Sequence, residues 1–453
     1  MLKKQTKTII LAVALLSIAI TTFFCVYIHN KKNPHPITIS VAEEQSFSVL
    51  CKKLYSQPII RPLPYPVTPA QLEIHSKSAI LIDATTGCVL YEKNADEVIP
   101  PASMAKIVVM YVAFQEIATG RISLEDAVPL PPESWAINAP PMSSLMFLGD
   151  GQHVTLKELL LGLAVASGND AAIAVAHYVS GSVESFVKRM NDEMEKLGLV
   201  HTRFVEPSGY SELNLTTARE FAALAKVYIE NYPQALEFFH SQKSISYPQE
   251  HNLAEWHKGG AKEQPIFQPS TNKLLGVLPG CDGLKTGFIF ESGYNLSLTA
   301  HRNGTRFISV TMGGPGKGSA EGNRYRMADG TTLMEWAFSC FATRPKELLS
   351  SYVLPVLEGK DNAVLIAPAF SQALTVPSLI KDKTPSQVAE LVTCQIQLPP
   401  YVIGTISAGQ EIGRATYSLG NVTLEQVPLV AVKPVEQANW FKRVLDKIAR
   451  NFM

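Results

Sequence analysis

Three short groups of residues have the types and spacing that chemistry uses. In Pro101-Ala102-Ser103-Met104-Ala105-Lys106, a serine and a lysine stand three residues apart at the head of an apolar run. On a helix, three residues amount to roughly 300° of turn and about 4.5 Å of rise, so the two side chains share a face and can meet. A serine hydroxyl is a weak nucleophile that needs a base beside it, and a lysine serves when burial and nearby positive charge make it neutral. The helix start also offers backbone N–H groups to a developing oxyanion. Ser167-Gly168-Asn169 breaks a second apolar stretch. Its hydroxyl can relay a proton, and its amide can hold a carbonyl or the lysine. Lys285-Thr286-Gly287 heads a strand, where lysine and threonine can face a cleft and the glycine can admit an extended substrate backbone. Each group alone has a plainer explanation: a surface serine and lysine, a capped helix-to-helix turn, a solvated strand end. The ordered set S-x-x-K, S-x-N, K-T-G is far more specific than any member of it.

The elements that must position these residues follow from periodicity. Ala79 to Tyr91 places apolar residues either side of Thr85-Thr86-Gly87 and predicts a β-hairpin. Met104 to about Ile117, and Leu156 to Val179 interrupted near Gly168, have helical spacing and are apolar enough to be buried. Beyond residue 280, Tyr294, Leu296 and Leu298 alternate, Asn303-Gly304 predicts a type I′ turn, and Phe307 to Met312 returns. Strands at both ends with helices between imply a mixed α/β body whose first and last strands share a sheet, ending near residue 345.

The rest of the chain frames this body. A length of 453 residues calls for two or three domains, and 40 basic residues against 40 acidic ones give no field that would draw nucleic acid. The six cysteines lack C-x-x-C spacing, which argues against a zinc or dithiol redox site; no metal or cofactor is implied. Residues 1–32 combine Lys3, Lys4 and Lys7 with an uncharged stretch from Ile9 to Ile28. This length crosses a bilayer, and His29-Asn30-Lys31-Lys32 stands directly after it where a small-x-small cleavage site would be, so an uncleaved export anchor is expected. The prolines scattered through residues 33–70 predict an extended tether without a regular helix. The catalytic body is placed at 71–345. Residues 346–435 read as a small all-β domain of short strands. Residues 436–453 predict an amphipathic helix, with Trp440, Phe441, Val444, Leu445, Ile448 and Phe452 on one side and Lys442, Arg443, Asp446, Lys447 and Arg450 on the other. A basic helix of this kind suits contact with anionic membrane lipids.

The three motifs, with Asp83-x3-Gly87, Leu159 to Ala176, Met190-Asn191, Leu197-Gly198-Leu199, Asp282 to Gly287 and Met312-Gly313-Gly314, resemble the serine D-Ala-D-Ala carboxypeptidases among the low-molecular-mass penicillin-binding proteins. The likeness covers about residues 70 to 345. It implies an α/β (α+β) serine β-lactamase/penicillin-binding transpeptidase-like domain with an antiparallel sheet and a helical cluster, plus the small all-β C-terminal domain. It further implies a peptidoglycan stem peptide ending in D-Ala-D-Ala as substrate, β-lactam antibiotics as acylating ligands, and a place on the extracytoplasmic face of the bacterial membrane. By the same resemblance, Ser103 attacks, Lys106 takes its proton, Ser167 passes a proton to the leaving amine, Asn169 holds the acyl chain and Lys285 supplies charge. Thr286 and Arg326 take the terminal carboxylate, Gly287 borders the substrate strand, and the backbone N–H groups of Ser103 and Phe288 form the oxyanion hole. Two positions depart from the pattern: Phe288 stands where some relatives have histidine, and Lys273 where many have arginine.

Three rivals use the same features. A β-lactamase would deacylate with a positioned glutamate, but four residues before Asn214 stands Tyr210, and the second motif is Ser-Gly-Asn. A D,D-endopeptidase would use identical machinery on cross-links. A non-catalytic wall-binding scaffold would have no need of Ser103, Lys106 and Lys285 together.

Overall fold

The computed structural model describes residues 2–67, 71–257, 264–345, 350–370, 373–378 and 380–452. Two helices come first, α1 (Leu2–Lys32) and α2 (Val41–Leu54). Two compact units follow: residues 58–344 with 375–390 form one, and residues 1–57, 345–374 and 391–453 form the other.

α2 corrects the expectation of a helix-free tether. Pro34, Pro36 and Pro58 leave residues 37–57 free of proline, and there Ser40 and Glu43 form a reciprocal capping box that starts a 14-residue helix. Prolines outside a stretch do not prevent a helix within it.

The larger unit is built on an antiparallel sheet of β1 (Ser78–Asp83), β2 (Cys88–Lys93), β3 (Cys281–Ile289), β4 (Gly293–Arg302) and β5 (Thr305–Gly314). Their order across the sheet is β2-β1-β5-β4-β3, with a short parallel strand, Arg61–Pro62, beside β2. β1 and β5 pair from Ser78–Met312 to Asp83–Phe307, so the first and last parts of the body share the sheet. Both faces are covered, and successive residues serve opposite sides. Ile80, Ile82, Ile308 and Val310 join the core beneath the helices α3 (Lys106–Ala118), α4 (Leu156–Val165), α5 (Asn169–Ser180), α6 (Val183–Lys196) and α7 (Ala218–Asn231). Ala79, Leu81, Leu296, Leu298 and Phe307 pack on the other side with Leu333, Met334 and Ala337 of α8 (Ser319–Cys340). The expected hairpin forms at Asn303-Gly304, both with positive φ (49° and 77°), as a type I′ turn requires.

This unit also includes α9 (Pro385–Ala389). Asp83, at the end of β1, accepts from Thr85 and Thr86 N–H and from the hydroxyls of Thr343 and Thr375. That cage ties 375–390 to the catalytic body, which the sequence expectation placed wholly within 71–345.

The smaller unit carries a six-stranded sheet, in the order 393–397, 411–419, 422–431, 363–368, 352–357 and 402–403. It ends in α10 (Trp440–Arg450), capped by Asn439. α2 lies on this unit: Cys51 is buried with Ala369 and Val430, and Tyr55 OH donates to Gly409 O at 2.8 Å. All six cysteines are free thiols.

Candidate active site

Ser103 lies in a 3-10 turn, Ala102–Ala105, that runs directly into α3. The tight turn still places Ser103 and Lys106 on one side, with Nζ 3.0 Å from Ser103 Oγ. Ala102, just before Ser103, has φ 51°, a left-handed conformation that few non-glycine residues adopt. Ser167 shares that trait at φ 62°, in the break between α4 and α5. Two such residues in one cleft mean that the surrounding packing holds the backbone in place.

Lys106 is fully buried. Its Nζ contacts three oxygens: Ser103 Oγ, Asn169 Oδ1 at 2.7 Å and Ser208 O at 2.5 Å. Burial lowers its pKa to about 7, against the opposing pull of the Glu206 and Asp170 carboxylates. Those acids are engaged elsewhere. Glu206 accepts from Ser208 N–H and hydroxyl, Ser211 N–H and Asn214 Nδ2. Asp170 accepts from the N–H groups of Met146, Phe147, Leu148 and Ala171, and burial still pushes its carboxyl up. A neutral amine has two N–H bonds and one lone pair. The Asn169 and Ser208 oxygens accept only, so they take the two N–H bonds, and the lone pair is left facing the Ser103 hydroxyl.

Lys285, 1% exposed, comes from β3 and donates to Ser167 Oγ at 2.9 Å and to Thr286 O at 3.1 Å. Burial, with the positive charges of Lys106 and Arg326, holds its pKa well below the ordinary lysine value. Thr286 is 5% exposed. At Gly287 the close approach is made by the chain itself: a Cβ would fall 2.4 Å from Pro101 O. Its lack of a side chain therefore lets β3 press against the chain just before Ser103, whereas the sequence suggested room for a substrate backbone. Gly209 does the same from the other side, where a Cβ would meet Ala102 O at 1.9 Å.

Phe288 is part-exposed, stacks on Tyr294 at 4.4 Å and meets Phe290 edge-on at 5.4 Å. Arg326, on α8, lies over the Tyr294 ring at 5.6 Å and bonds Asn323; burial lowers its pKa to about 10. Lys273 Nζ caps Ser270 O. The structure thus gathers two hydrogen-bonded groups, Ser103–Lys106–Asn169 and Lys285–Ser167, whose lysines are near enough to act on each other through charge, with Thr286, Gly287, Phe288 and Arg326 on the β3 and α8 side. Sequence reasoning missed Glu206, Ser208 and Asp170. The first two lie in a Glu-Pro-Ser-Gly turn whose Pro207-Ser208-Gly209 signalled only a loop, and Ser208 contributes a backbone carbonyl.

A serine in contact with a buried lysine, on an α/β body with a separate β-rich unit, is an arrangement suited to an acyl-transferring serine hydrolase. The family model described as D-alanyl-D-alanine carboxypeptidase matches residues 65–316, and the chain belongs to that family. The D-alanyl-D-alanine carboxypeptidase DacC of Escherichia coli strain K12 is 32% identical over 385 residues, 84% of this chain and 89% of that one. Penicillin-binding protein 5 from Haemophilus influenzae aligns with a TM-score of 0.68 at 28% identity, covering 82% of this chain and all of that one. Penicillin-binding protein D2 from Listeria monocytogenes in the cefotaxime bound form aligns at 0.50 and 26% identity, covering 59% of this chain and 98% of that one.

Proposed function

We propose that this serine-type D-Ala-D-Ala carboxypeptidase removes the terminal D-alanine from peptidoglycan stem pentapeptides through an ester on Ser103, and that β-lactams acylate the same oxygen. The single observation carrying this is the Lys106 amine: buried, lowered to about 7, and directed at Ser103 Oγ by two fixed acceptors. Ser103 Oγ attacks the penultimate D-alanine carbonyl while its proton passes to Lys106 Nζ. The oxyanion rests on the N–H groups of Ser103 and Phe288. As the C–N bond breaks, Ser167, polarised by Lys285, gives the leaving amine its proton and regains one from Lys106, and D-alanine departs. Asn169 keeps the acyl chain in place. Water then attacks the ester and restores the Ser103 hydroxyl. Thr286 and the Arg326 guanidinium receive the terminal carboxylate, the latter with a fork suited to two oxygens.

The test is release of D-alanine from a monomeric stem pentapeptide by the full chain, lost in Ser103→Ala. Cleavage confined to cross-linked peptides would reassign the protein as an endopeptidase, and rapid β-lactam turnover would make it a β-lactamase.

The same proposal extends to location, the extracytoplasmic face of the membrane. The stretch Ala12–Lys32 of α1 is long and apolar enough to span a bilayer. On α10 and just beyond it, Trp440, Phe441, Val444, Ile448 and Phe452 are exposed and Leu445 is half-buried, which supports contact with membrane lipids.

A further inference from the structure

On the side of α10 away from its apolar stripe, Asp446 is fully buried. Its carboxylate accepts from Tyr27 OH at 2.5 Å and Glu358 N–H at 2.7 Å, and it pairs with Lys31 Nζ at 3.0 Å. Lys31, 2% exposed, also donates to Val356 O at 2.6 Å. Tyr27 and Lys31 belong to the last turns of α1, so the polar side of α10 is satisfied by the very helix whose earlier residues are apolar and exposed.

We infer that α1 is retained in the working protein, and that its Tyr27–Lys31 turn is a structural part of the β-rich unit, clasping α10 flat against an anionic bilayer where α1 enters it. This rests on the membrane attachment proposed above. Cutting the leader after residue 32 would strip Asp446 of two of its three partner residues and leave a buried carboxylate with one N–H group, a costly state. Residues 29–32, His-Asn-Lys-Lys, are helical and offer no small-x-small site. The chain that follows is held as well: Glu43 pairs with Lys433 at 2.6 Å, and Cys51 and Tyr55 dock α2 on the sheet. With Asp446 facing inward and Lys442 Nζ capping Gly359 O and Lys360 O, the apolar stripe must face outward. Lys32, Lys447 and Arg450 are exposed on the clasped elements and favour anionic headgroups.

The full chain, produced in a bacterial host, is fractionated, and the membrane-bound protein is weighed intact. Retention of the N-terminal residues is expected; a membrane-bound chain that begins at or beyond Lys32 overturns the clasp while leaving attachment through α10 standing. Recovery of the intact chain in the soluble fraction would instead overturn the membrane reading itself, and the clasp with it. In membranes, Asp446→Ala should speed tryptic cutting within α10 by about tenfold, because the helix loses its buried anchor. Tyr27→Phe, which removes one hydroxyl, should speed it less, and it decides the matter if the first variant misfolds. Labelling by a fluorescent penicillin, unchanged in both, reports that the catalytic unit is intact. Unaltered cutting in folded variants overturns the clasp.

Discussion

Lys31 in the smaller unit and Lys106 in the larger are both completely buried, and the two are treated in opposite ways. Lys31 meets a carboxylate at 3.0 Å, with a backbone carbonyl beside it. Lys106 meets three neutral oxygens, while Glu206 and Asp170 are kept occupied by backbone N–H groups and an amide. A carboxylate placed directly against the amine makes a joint. Neutral acceptors with acids one shell away let burial win, and the amine sheds its proton near neutrality. A buried lysine is therefore not by itself a sign of catalysis; the identity of its nearest oxygens decides.

The largest break in this comparison is Lys106→Met. Loss of a positioned base should lower the penicillin acylation rate by about 10³- to 10⁴-fold. Melting temperature should not fall, since an apolar chain of similar size removes a desolvated amine. Stopped-flow acylation and calorimetry check both halves, and a drop in stability of several degrees would mean that Lys106 works as a joint after all. Lys31→Met should behave oppositely. Asp446 is left buried and under-paired, so the β-rich unit should lose about 3 to 5 kcal/mol, while acylation is unchanged. Denaturant unfolding followed beside penicillin labelling separates the two effects. Next in size, Ser167→Ala removes the hydroxyl that Lys285 polarises, and should cut acylation by about 10²-fold with little change in stability.

How far such differences can be read from a sequence depends on which atoms act. The three motifs are legible because they are side chains at fixed local spacing, and the hairpins and buried helices that carry them follow from periods of 2 and 3.6. Glu206, Ser208 and Asp170 are illegible because Ser208 contributes a backbone carbonyl, Glu206 is an acid held within its own turn, and Asp170 answers the N–H groups of Met146, Phe147 and Leu148 in a distant loop. Gly287 was given the right place and a different neighbour: only the fold brings Pro101 against it. α2 was missed by counting prolines without noting the gap between them. In α10 the two faces were legible, but not that the polar one would be buried, since Tyr27 and Lys31 lie more than 400 residues away.

The finest test titrates the comparison itself. In the proposed mechanism acylation requires neutral Lys106, so its rate should rise with pH, reach half its maximum near pH 7 and level off above it. The sign is fixed because burial disfavours the charged amine, and each proton lost on raising the pH restores a base. Glu206 pulls the other way, its negative charge favouring the ammonium. Glu206→Gln should therefore move the bend to lower pH, by less than about one pH unit, with the plateau changed far less than in Lys106→Met. A bend that moves upward instead would mean that the carboxylate does not act on Lys106 through charge, and that the two buried lysines differ for a reason other than the distance of their acids.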